Sequence, residues 1–361
     1  MPIDAIPGTI QAPPATRVHF IVQFYDPPTV ETMLALIGRG AALLQYVPDN
    51  AFLVSLDDSV NLTGLGIRYA APLSPPQKIS PLITTPDPIV IRGYYVVEFH
   101  VDIDTSRARS VILNSPAQLV ENPDLERRHL LVHIADPSRE PEILAALASN
   151  DSIGYIFPAS DDLVMGRPTA SLGISAQCIS TFGDGWDGPG QNPATLFYYF
   201  SHLTAQLPEA SVRSEILRAL EEWAKVAQIT WLPGGSPIGD HTVSIQFATG
   251  DHGDGFPFDG AGGVLAHTFY PAPPTAEPLA GDMHFDDTET WHVGLDYDIF
   301  SVAVHESGHA LGLGASDNPG SVMYPYYKLR TGLSDGDKTS ILTLYAPQAG
   351  NPVPALLALT V

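Results

Sequence analysis

The feature that most constrains this 361-residue chain is the run His305-Glu306-Ser307-Gly308-His309. Residues four positions apart on a helix share one face, so both imidazoles can point at one ion. Glu306 then stands beside that ion, where a carboxylate can activate water. Asp298 is a suitable N-cap before an apolar lead-in, and Gly312 tolerates the positive φ of a helix end. The sequence therefore predicts a metal-binding helix followed by a turn.

A second stretch, between residues 252 and 291, is dense in histidine, carboxylate and glycine. A histidine in a strand is more often a core residue, but three of them with interleaved carboxylates favour a closed zinc site. A glycine-rich turn exposes backbone carbonyls, and carboxylates near it can complete the oxygen shell of a calcium ion. The predicted zinc ligands are His252, Asp254, His267 and His284, and the predicted calcium carboxylates are Asp259, Asp286 and Glu289.

Composition narrows the classes of partner. Forty acidic residues against 17 basic ones give a net charge of −23, which argues against nucleic acid and anionic membranes. The same charge is compatible with bound calcium or with an ordinary solvated acidic surface. Cys178 is the single cysteine, so no intrachain disulfide can form. No apolar run is long enough for a membrane span.

Hydrophobic patterning predicts an α+β multi-domain chain with two tandem ferredoxin-like β-α-β-β-α-β units before the metal-binding part. The first unit includes a predicted short helix near Val60 and a strand near Ile67. The expected layout is a flexible arm (1–16), the first unit (17–72), a Pro-rich linker (73–90), the second unit (91–160), a Gly/Pro-rich linker (161–195), the metal-binding domain (196–347) and a tail (348–361).

The His305 run continues to Ala315 and is followed by Ser321-Val322-Met323-Tyr324-Pro325. This block resembles the metzincin signature, H-E-x-x-H-x-x-G-x-x-H with a Met-turn. Ser316 and the Met-Tyr-Pro turn are similar to the matrixin branch, the matrix-metalloproteinase-like enzymes. The resemblance is nearly continuous from Leu196 to about Tyr345. It implies a catalytic domain with a twisted, mostly parallel sheet, an active-site helix and a Met-turn.

The resemblance also implies chemistry, namely a secreted zinc endopeptidase acting on proteins or peptides. Glu306 is then the general base, Met323 lies beneath the metal, and Pro325 and Tyr327 form the wall of a substrate pocket. Zinc at His305 and His309 is catalytic, whereas the second zinc is structural. Gly260, Gly262 and Val264 are implied as carbonyl ligands of calcium. Asp282 is a candidate ligand of a second calcium, although Thr242 occupies the position of its acidic partner.

One residue departs from the matrixin pattern. The third zinc-ligand position is Ala315, whose methyl group cannot coordinate a metal. Two explanations remain open: an engineered His-to-Ala change that silences the enzyme, or a natural pseudo-enzyme. Asp317 reaches the vacant position only if the turn rearranges. The rival functional class is a non-catalytic binding protein that keeps the structural zinc and calcium.

Residues 17–160 are similar, in pattern more than in motif, to propeptide-like modules of secreted proteases. They are interpreted as a pro-segment that inhibits or chaperones the protease, with a spacer or a module for an outside partner as alternatives. Cys178 lies where a matrixin zymogen places its zinc-binding thiolate, but the surrounding Pro-Arg-Cys-Gly context is missing, so an idle linker thiol is the alternative. Residues 1–16 lack the features of a signal peptide, so an export signal is expected to lie outside this sequence.

Overall fold

A computed structural model describes residues 17–47, 49–57, 59–84, 90–167, 169–172, 185–188, 190–272 and 274–349. The predicted arm, Cys178 and most of the tail lie outside these residues. Within the described part of the chain, every helix is too short or too polar to cross a membrane. The chain is a mixed α+β protein with three sheets.

The first sheet lies within residues 17–72 and is antiparallel. Its strand order is β2-β3-β1-β4, and α1 follows β1. The prediction of a helix near Val60 is wrong, because the described residues between β3 and β4 form turns. The Val60 amide is hydrogen-bonded to the carbonyl of Asp57. The elements are β1 (Val18–Phe24), α1 (Val30–Gly38), β2 (Ala42–Val47), β3 (Ala51–Leu56) and β4 (Ile67–Ala71).

The second sheet lies within residues 91–160, and its elements follow in the order β-α-β-β-α-β. The strand order β6-β7-β5-β8 is antiparallel throughout. Two short helical segments precede this unit in the stretch predicted as a linker: a 3₁₀ helix (Pro75–Lys78) and α2 (Pro81–Thr84). The elements of the unit are β5 (Tyr94–Phe99), α3 (Thr105–Leu113), β6 (Gln118–Val120), β7 (His129–His133), α4 (Glu140–Ala148) and β8 (Ile153–Pro158).

The third sheet carries the metal-binding region and has the strand order β10-β9-β11-β13-β12. Its pairs are parallel except for the edge strand β12, which runs antiparallel to β13. The predicted linker 161–195 is partly regular, because α5 lies in it and β9 begins at Ala194. The elements are α5 (Asp161–Met165), β9 (Ala194–His202), α6 (Glu209–Ala224), β10 (Ile229–Pro233), β11 (Thr242–Ala248), β12 (Ala266–Thr268), β13 (Met283–Asp286), α7 (Ile299–Ala310) and α8 (Asp335–Leu344).

Helix α7 forms the centre of this domain, and all twelve of its residues are buried. The Asp298 carboxylate accepts the Ser301 amide at 2.8 Å, an N-cap worth about 1 kcal/mol. Trp223 of α6 donates its indole N–H to the Val304 carbonyl at 3.0 Å. This hydrogen bond joins α6 to α7. Gly312 has a φ of 99°, so the chain turns back there toward the buried end of α7.

Candidate active site and metal centres

The two histidines of α7 point their rings at one place. His305 Nε2 and His309 Nε2 lie 3.0 Å apart, and both rings are buried. His305 Nδ1 is 2.8 Å from the Val322 carbonyl, and His309 Nδ1 is 2.7 Å from the Leu313 carbonyl. A ring that donates from Nδ1 presents a lone pair at Nε2, so two lone pairs face each other here. Such an arrangement is unfavourable without a cation and suits a metal ion.

Burial keeps both imidazoles in the form that binds metal. It lowers the pKa of His305 well below the usual value for histidine and lowers that of His309 to about 4. Both rings are therefore neutral at pH 7. Because a metal ion competes with protons for Nε2, depressed pKa values favour metal at neutral pH.

Glu306 is buried beside the two histidines, and its two oxygens have different surroundings. Oε2 accepts a hydrogen bond from the Thr268 hydroxyl at 2.6 Å, whereas Oε1 is buried without a hydrogen-bond partner in the described structure. Burial raises the pKa of Glu306 to about 8. One oxygen is thus held in place by Thr268, and the other makes no competing hydrogen bond within the described structure.

Met323 lies directly under the metal-binding helix. A Cβ added to Gly308 would come within 2.3 Å of the Met323 sulfur, so only glycine fits the helix at this point. The Met323 carbonyl accepts the Ser316 amide at 2.8 Å and ties the turn to the loop after α7. This is the location that the Met-turn interpretation predicts.

The third ligand position is not refilled by a neighbouring side chain among the described residues. Ala315 is buried, and the Asp317 carboxylate instead accepts hydrogen bonds from Ser80 at 2.6 Å and Tyr155 at 2.9 Å. The Tyr270 hydroxyl lies 3.1 Å from His309 Nδ1, on the side of the ring away from Nε2. The site therefore offers two imidazoles, one fewer protein ligand than a catalytic zinc normally has.

The second predicted site is closed. Asp254 Oδ2 lies 2.7 Å from His267 Nε2, 2.7 Å from His284 Nδ1 and 2.8 Å from His252 Nε2. His284 Nδ1 is also 3.1 Å from His252 Nε2 and 3.2 Å from His267 Nε2. These separations are slightly shorter than the ~3.3 Å edge of a tetrahedron around zinc. Four ligand atoms that already meet leave no open position.

The pKa shifts of Asp254 and His284 also fit a closed metal site. Burial opposes ionisation of Asp254, but hydrogen bonds from His267 and His284 outweigh it and hold the pKa of Asp254 far below its usual range. Burial lowers the pKa of His284. His252 Nδ1 lies 2.8 Å from the Gly250 carbonyl, a contact that orients the ring with Nε2 toward the other ligands.

The predicted calcium residues surround the glycine-rich turn. The Gly262 amide donates to Glu289 at 2.7 Å, and the Val264 amide donates to Asp259 at 3.0 Å. Asp286 Oδ2 is buried without a hydrogen-bond partner among the described residues, which fits an oxygen that can coordinate a cation. Burial raises the pKa of Glu289. Gly260 and Gly262 have φ values of 95° and 86°, which lets this turn curl.

Asp282 has different surroundings. Its Oδ1 accepts the Ser244 amide at 2.7 Å, and burial raises its pKa to about 8. The described acidic and histidine side chains form one cluster with metal-ligand geometry, and Asp282 is outside it. The position of its predicted acidic partner is occupied by the buried Thr242.

An unexpected segment fills the cleft above α7. Ser171 bridges in parallel to Val264 on one rim and antiparallel to Tyr326 on the other. The Leu172 amide donates to the Pro325 carbonyl, and the Tyr327 amide donates to the Ala170 carbonyl, each at 3.0 Å. We call residues 169–172 the cleft segment.

The second unit packs behind the cleft segment against the predicted pocket wall. His129 Nδ1 lies 2.5 Å from the Tyr326 hydroxyl, and the Ser160 amide donates to the Tyr324 hydroxyl at 3.1 Å. The predicted pocket residue Tyr327 is buried, and its hydroxyl contacts the Asp298 amide at 3.0 Å. Pro325 and Tyr327, which are predicted to form the pocket wall, are thus bonded through their backbone to the cleft segment.

Sequence reasoning missed Thr268, Tyr270 and the cleft segment. Thr268 is the residue after the predicted ligand His267, and strand alternation alone would have turned it toward the opposite side. The cleft segment is short, with no periodic pattern, and its partners lie about 90 and 155 residues further along the chain, a separation that local patterns do not reveal.

Comparisons with known proteins assign the C-terminal part of this chain to a known family. Residues 190–346 match the family model described as Matrixin, Peptidase_M10. Residues 4–74 match a domain of unknown function, DUF8729. The chain is 39% identical to human matrix metalloproteinase-20 over 159 residues, 43% of this chain and 32% of that protein. It is 37% identical to horse interstitial collagenase over 194 residues, 53% of this chain and 39% of that protein.

A third relative matches a stretch of similar length to the first. Human matrix metalloproteinase-25 is 42% identical over 158 residues, which are 40% of this chain and 28% of that protein. The chain therefore spans well under half the length of these curated relatives. The matched region contains α7, the closed metal cluster and the Met-turn.

Proposed function

We propose that this chain, whose residues 190–346 are a matrixin-type metalloprotease domain, is the proenzyme of a secreted zinc-dependent endopeptidase that Ala315 impairs. The observation that carries the proposal is the pair of Nε2 atoms on α7, 3.0 Å apart, with the unpartnered Glu306 oxygen beside them. Peptide-bond hydrolysis at such a site needs a Lewis acid and a general base. Proteins or peptides are the proposed substrates.

Each residue of the site has a separate role in the proposed reaction. His305 and His309 would hold the zinc, which when bound supplies Lewis acidity toward the scissile carbonyl. Glu306 accepts a proton from the attacking water at Oε1 and delivers it to the leaving amine. Thr268 holds Oε2 through its hydroxyl and so determines which oxygen acts as the base. Met323 supports the floor under Gly308.

The remaining metal sites are proposed to be structural. His252, Asp254, His267 and His284 fit a closed zinc site, which stabilises the fold and takes no part in hydrolysis. Calcium is proposed at the glycine-rich turn, and the buried, unpartnered Asp286 oxygen supports this. The hydrogen bond of Asp282 to a peptide amide makes a second calcium there the weaker proposal.

The N-terminal region is proposed to inhibit the catalytic domain. Support comes from the cleft segment, whose backbone bonds to both rims where a substrate backbone would have to lie. We also propose that residues 91–160 are a ferredoxin-like unit and that residues 17–72 are a variant with one helix, since both sheets have their first strand at a central position. Cys178 stays a candidate zinc ligand of the inhibited form.

A restored enzyme tests the proposal. Ala315→His is expressed with a specific protease site placed between residues 173 and 184, so that the N-terminal region can be cut off after folding. Zinc-loaded protein should hydrolyse a fluorogenic peptide library only after the cut. Glu306→Gln in the same background is the matched control and should bind zinc without cleaving. If the cut, zinc-loaded Ala315→His protein cleaves no peptide, the endopeptidase proposal is wrong.

Ala315 itself favours a second candidate, a pseudoprotease that uses the matrixin fold for binding. The chain with Ala315 would then hold one zinc in the closed cluster and none on α7. Metal analysis of this chain and of Ala315→His distinguishes the two candidate functions: a rise from one zinc to two in the variant supports the enzyme, and one zinc in both supports the binding protein.

A further inference from the structure

A buried charged cluster joins the first unit to the second. His19 of β1 is 5% exposed, and its ring lies between two carboxylates of the second unit. Nδ1 is 2.7 Å from Asp151, and Nε2 is 2.8 Å from Asp102. The His19 amide also donates to Asp151 at 3.1 Å. We call His19, His100, Asp102 and Asp151 the interdomain clasp.

The geometry requires a protonated His19. A neutral imidazole donates from one nitrogen only, and its second nitrogen would then turn a lone pair toward a carboxylate. Only the imidazolium can donate to both Asp102 and Asp151. Burial opposes the charge, but the two hydrogen bonds outweigh it and raise the pKa of His19, while they lower the pKa of each carboxyl.

His100 stacks on the face of the His19 ring and must stay neutral. The two rings stack with centroids 3.9 Å apart, and His100 is 2% exposed. A second imidazolium at that distance would repel the first. Burial, with the nearby charges of His19 and Lys78, lowers the pKa of His100 to about 3.

Other charged and polar groups face the clasp from each packed element. Lys78 of the 3₁₀ helix is 5% exposed and donates to the Asn150 carbonyl at 3.1 Å. Burial lowers its pKa. Ser55 of β3 pairs with His19 in the first sheet, and Arg17 donates to the Ser55 hydroxyl at 3.1 Å. Histidine is the residue type around the clasp whose usual pKa lies between 4 and 7, so His19 and His100 are the groups expected to respond there.

From this arrangement we infer that the interdomain clasp is an acid-sensitive latch, in which protonation of His100 against His19 releases the first unit from the second. The inference concerns the interface between residues 17–72 and 91–160 and does not depend on peptidase activity. The partner of the second unit at this interface is β1 of the first unit, whose His19 ring lies between the two carboxylates.

The direction of the pH effect follows from the shifts. A base with a lowered pKa, His100, favours docking above 6.5 and loses that contribution as the pH falls from 6.5 toward 3. His19, with a raised pKa, contributes fully below 6.5 and loses its contribution as the pH rises through the raised value. Asp102 and Asp151 lose theirs only below about 3.8. Between 6.5 and about 4, His100 alone drives release, by up to tenfold per pH unit for one proton.

Distance measurements on the full chain test the inference. Spin labels are attached at Leu34→Cys on α1 and Leu113→Cys on α3, both exposed, in a Cys178→Ser background. At pH 7.5 one distance between the labels is expected. Below pH 6.5 a longer population should grow, by up to about fiftyfold in the ratio of released to docked form at pH 4.5 relative to pH 6.5.

Single-residue variants test which residues of the clasp cause the pH-dependent release. His100→Phe keeps the stacked ring without a proton site and should stay docked at pH 4.5. Asp151→Asn should release the first unit more readily at every pH, because it weakens the contact with His19. His133→Phe, which retains the stacking on Tyr94 at 4.3 Å, is the control and should behave as the parent. An unchanged distance between pH 7.5 and 4.5, or release of His100→Phe equal to that of the parent, would overturn the inference.

Discussion

The two histidine sites of the matrixin-type domain differ in how complete they are. The closed cluster brings together three imidazoles and a carboxylate from β12, β13 and the glycine-rich loop. The site on α7 has two imidazoles, a buried acid and an alanine where the third ligand is expected. The closed cluster is complete within the domain, whereas the site on α7 is covered by the cleft segment from outside the domain.

Because of this difference, we expect the closed cluster to contribute to stability and the site on α7 to contribute to catalysis. Ligands in a closed site contribute to folding, because the bound ion holds distant segments together. A site that acts on substrate needs an open position and a cleft, and both make it sensitive to a single residue and to whatever occupies the cleft. We therefore expect changes in the closed cluster to affect stability, and changes around α7 to affect metal affinity and activity.

The largest effect is expected from Asp254→Ala. The change removes the only charged ligand of the closed cluster, and if the ~10–16 kcal/mol of a structural zinc site is shared by four ligands, about 3 kcal/mol is lost. That loss lowers the melting temperature of a domain of this size by roughly 6–12 °C. Calorimetry with zinc present measures it. Asp251→Asn, an exposed neighbour, is the control, and equal melting temperatures for the two variants would contradict a metal role for Asp254.

Ala315→His should strengthen zinc binding at α7 by about a hundredfold, since a third imidazole restores one ligand's share of the affinity, roughly 3 kcal/mol. Competition with a chromophoric chelator measures the affinity. The closed cluster, titrated in the same experiment, should keep its affinity. An Ala315→Gln variant of similar bulk with a poor ligand controls for packing, and a gain of the same size there would count against direct coordination.

Thr268→Val in the cut, zinc-loaded Ala315→His background should lower kcat about tenfold with little change in KM. A hydrogen bond to a charged partner is worth about 1.5–3 kcal/mol, and its loss frees the carboxylate of Glu306 to rotate. Thr268→Ser retains the hydroxyl and should restore most of kcat. Zinc affinity should be the same in all three proteins. A Val variant with unchanged kcat would remove Thr268 from the proposed mechanism.

The smallest effect is expected from Asp317→Asn, which weakens the contact between the third-ligand loop and the N-terminal region. Its carboxylate accepts two hydroxyl donors, Ser80 and Tyr155, and an amide oxygen accepts them less strongly, at a cost of about 1 kcal/mol. Hydrogen exchange at the Leu265 and Tyr327 amides, which bond to the cleft segment, should accelerate about fivefold. Asp335→Asn on the exposed end of α8 should leave both rates unaltered.

The proposed chemistry was readable from the sequence because its determinants are local. The spacing of His305 and His309 predicts one helical face, and the Asp298 cap and Gly312 predict where that helix begins and ends. The mostly parallel sheet was expected only from the resemblance to the matrixins. The closed cluster was also predictable, because three histidines and an aspartate fall within 33 residues of one another.

Other features had no local signal. The prediction of a short helix near Val60 was wrong. That stretch has little apolar periodicity of its own and forms turns between two strands. The helix α5 was missed within a segment whose glycine and proline content indicated a linker, although Ser160 caps it through the Leu163 amide at 3.3 Å.

Sequence alone determined which residues can bind metal, since a ligand set needs only side-chain chemistry at helical or strand spacing. Tertiary structure decided which hydroxyl holds Glu306, what lies in the cleft, and where Asp317 and His19 find their partners. Those contacts join residues 38, 155, 237 and 132 positions apart. Such pairings depend on how whole units pack, and packing is set by the sum of many buried surfaces rather than by any short pattern.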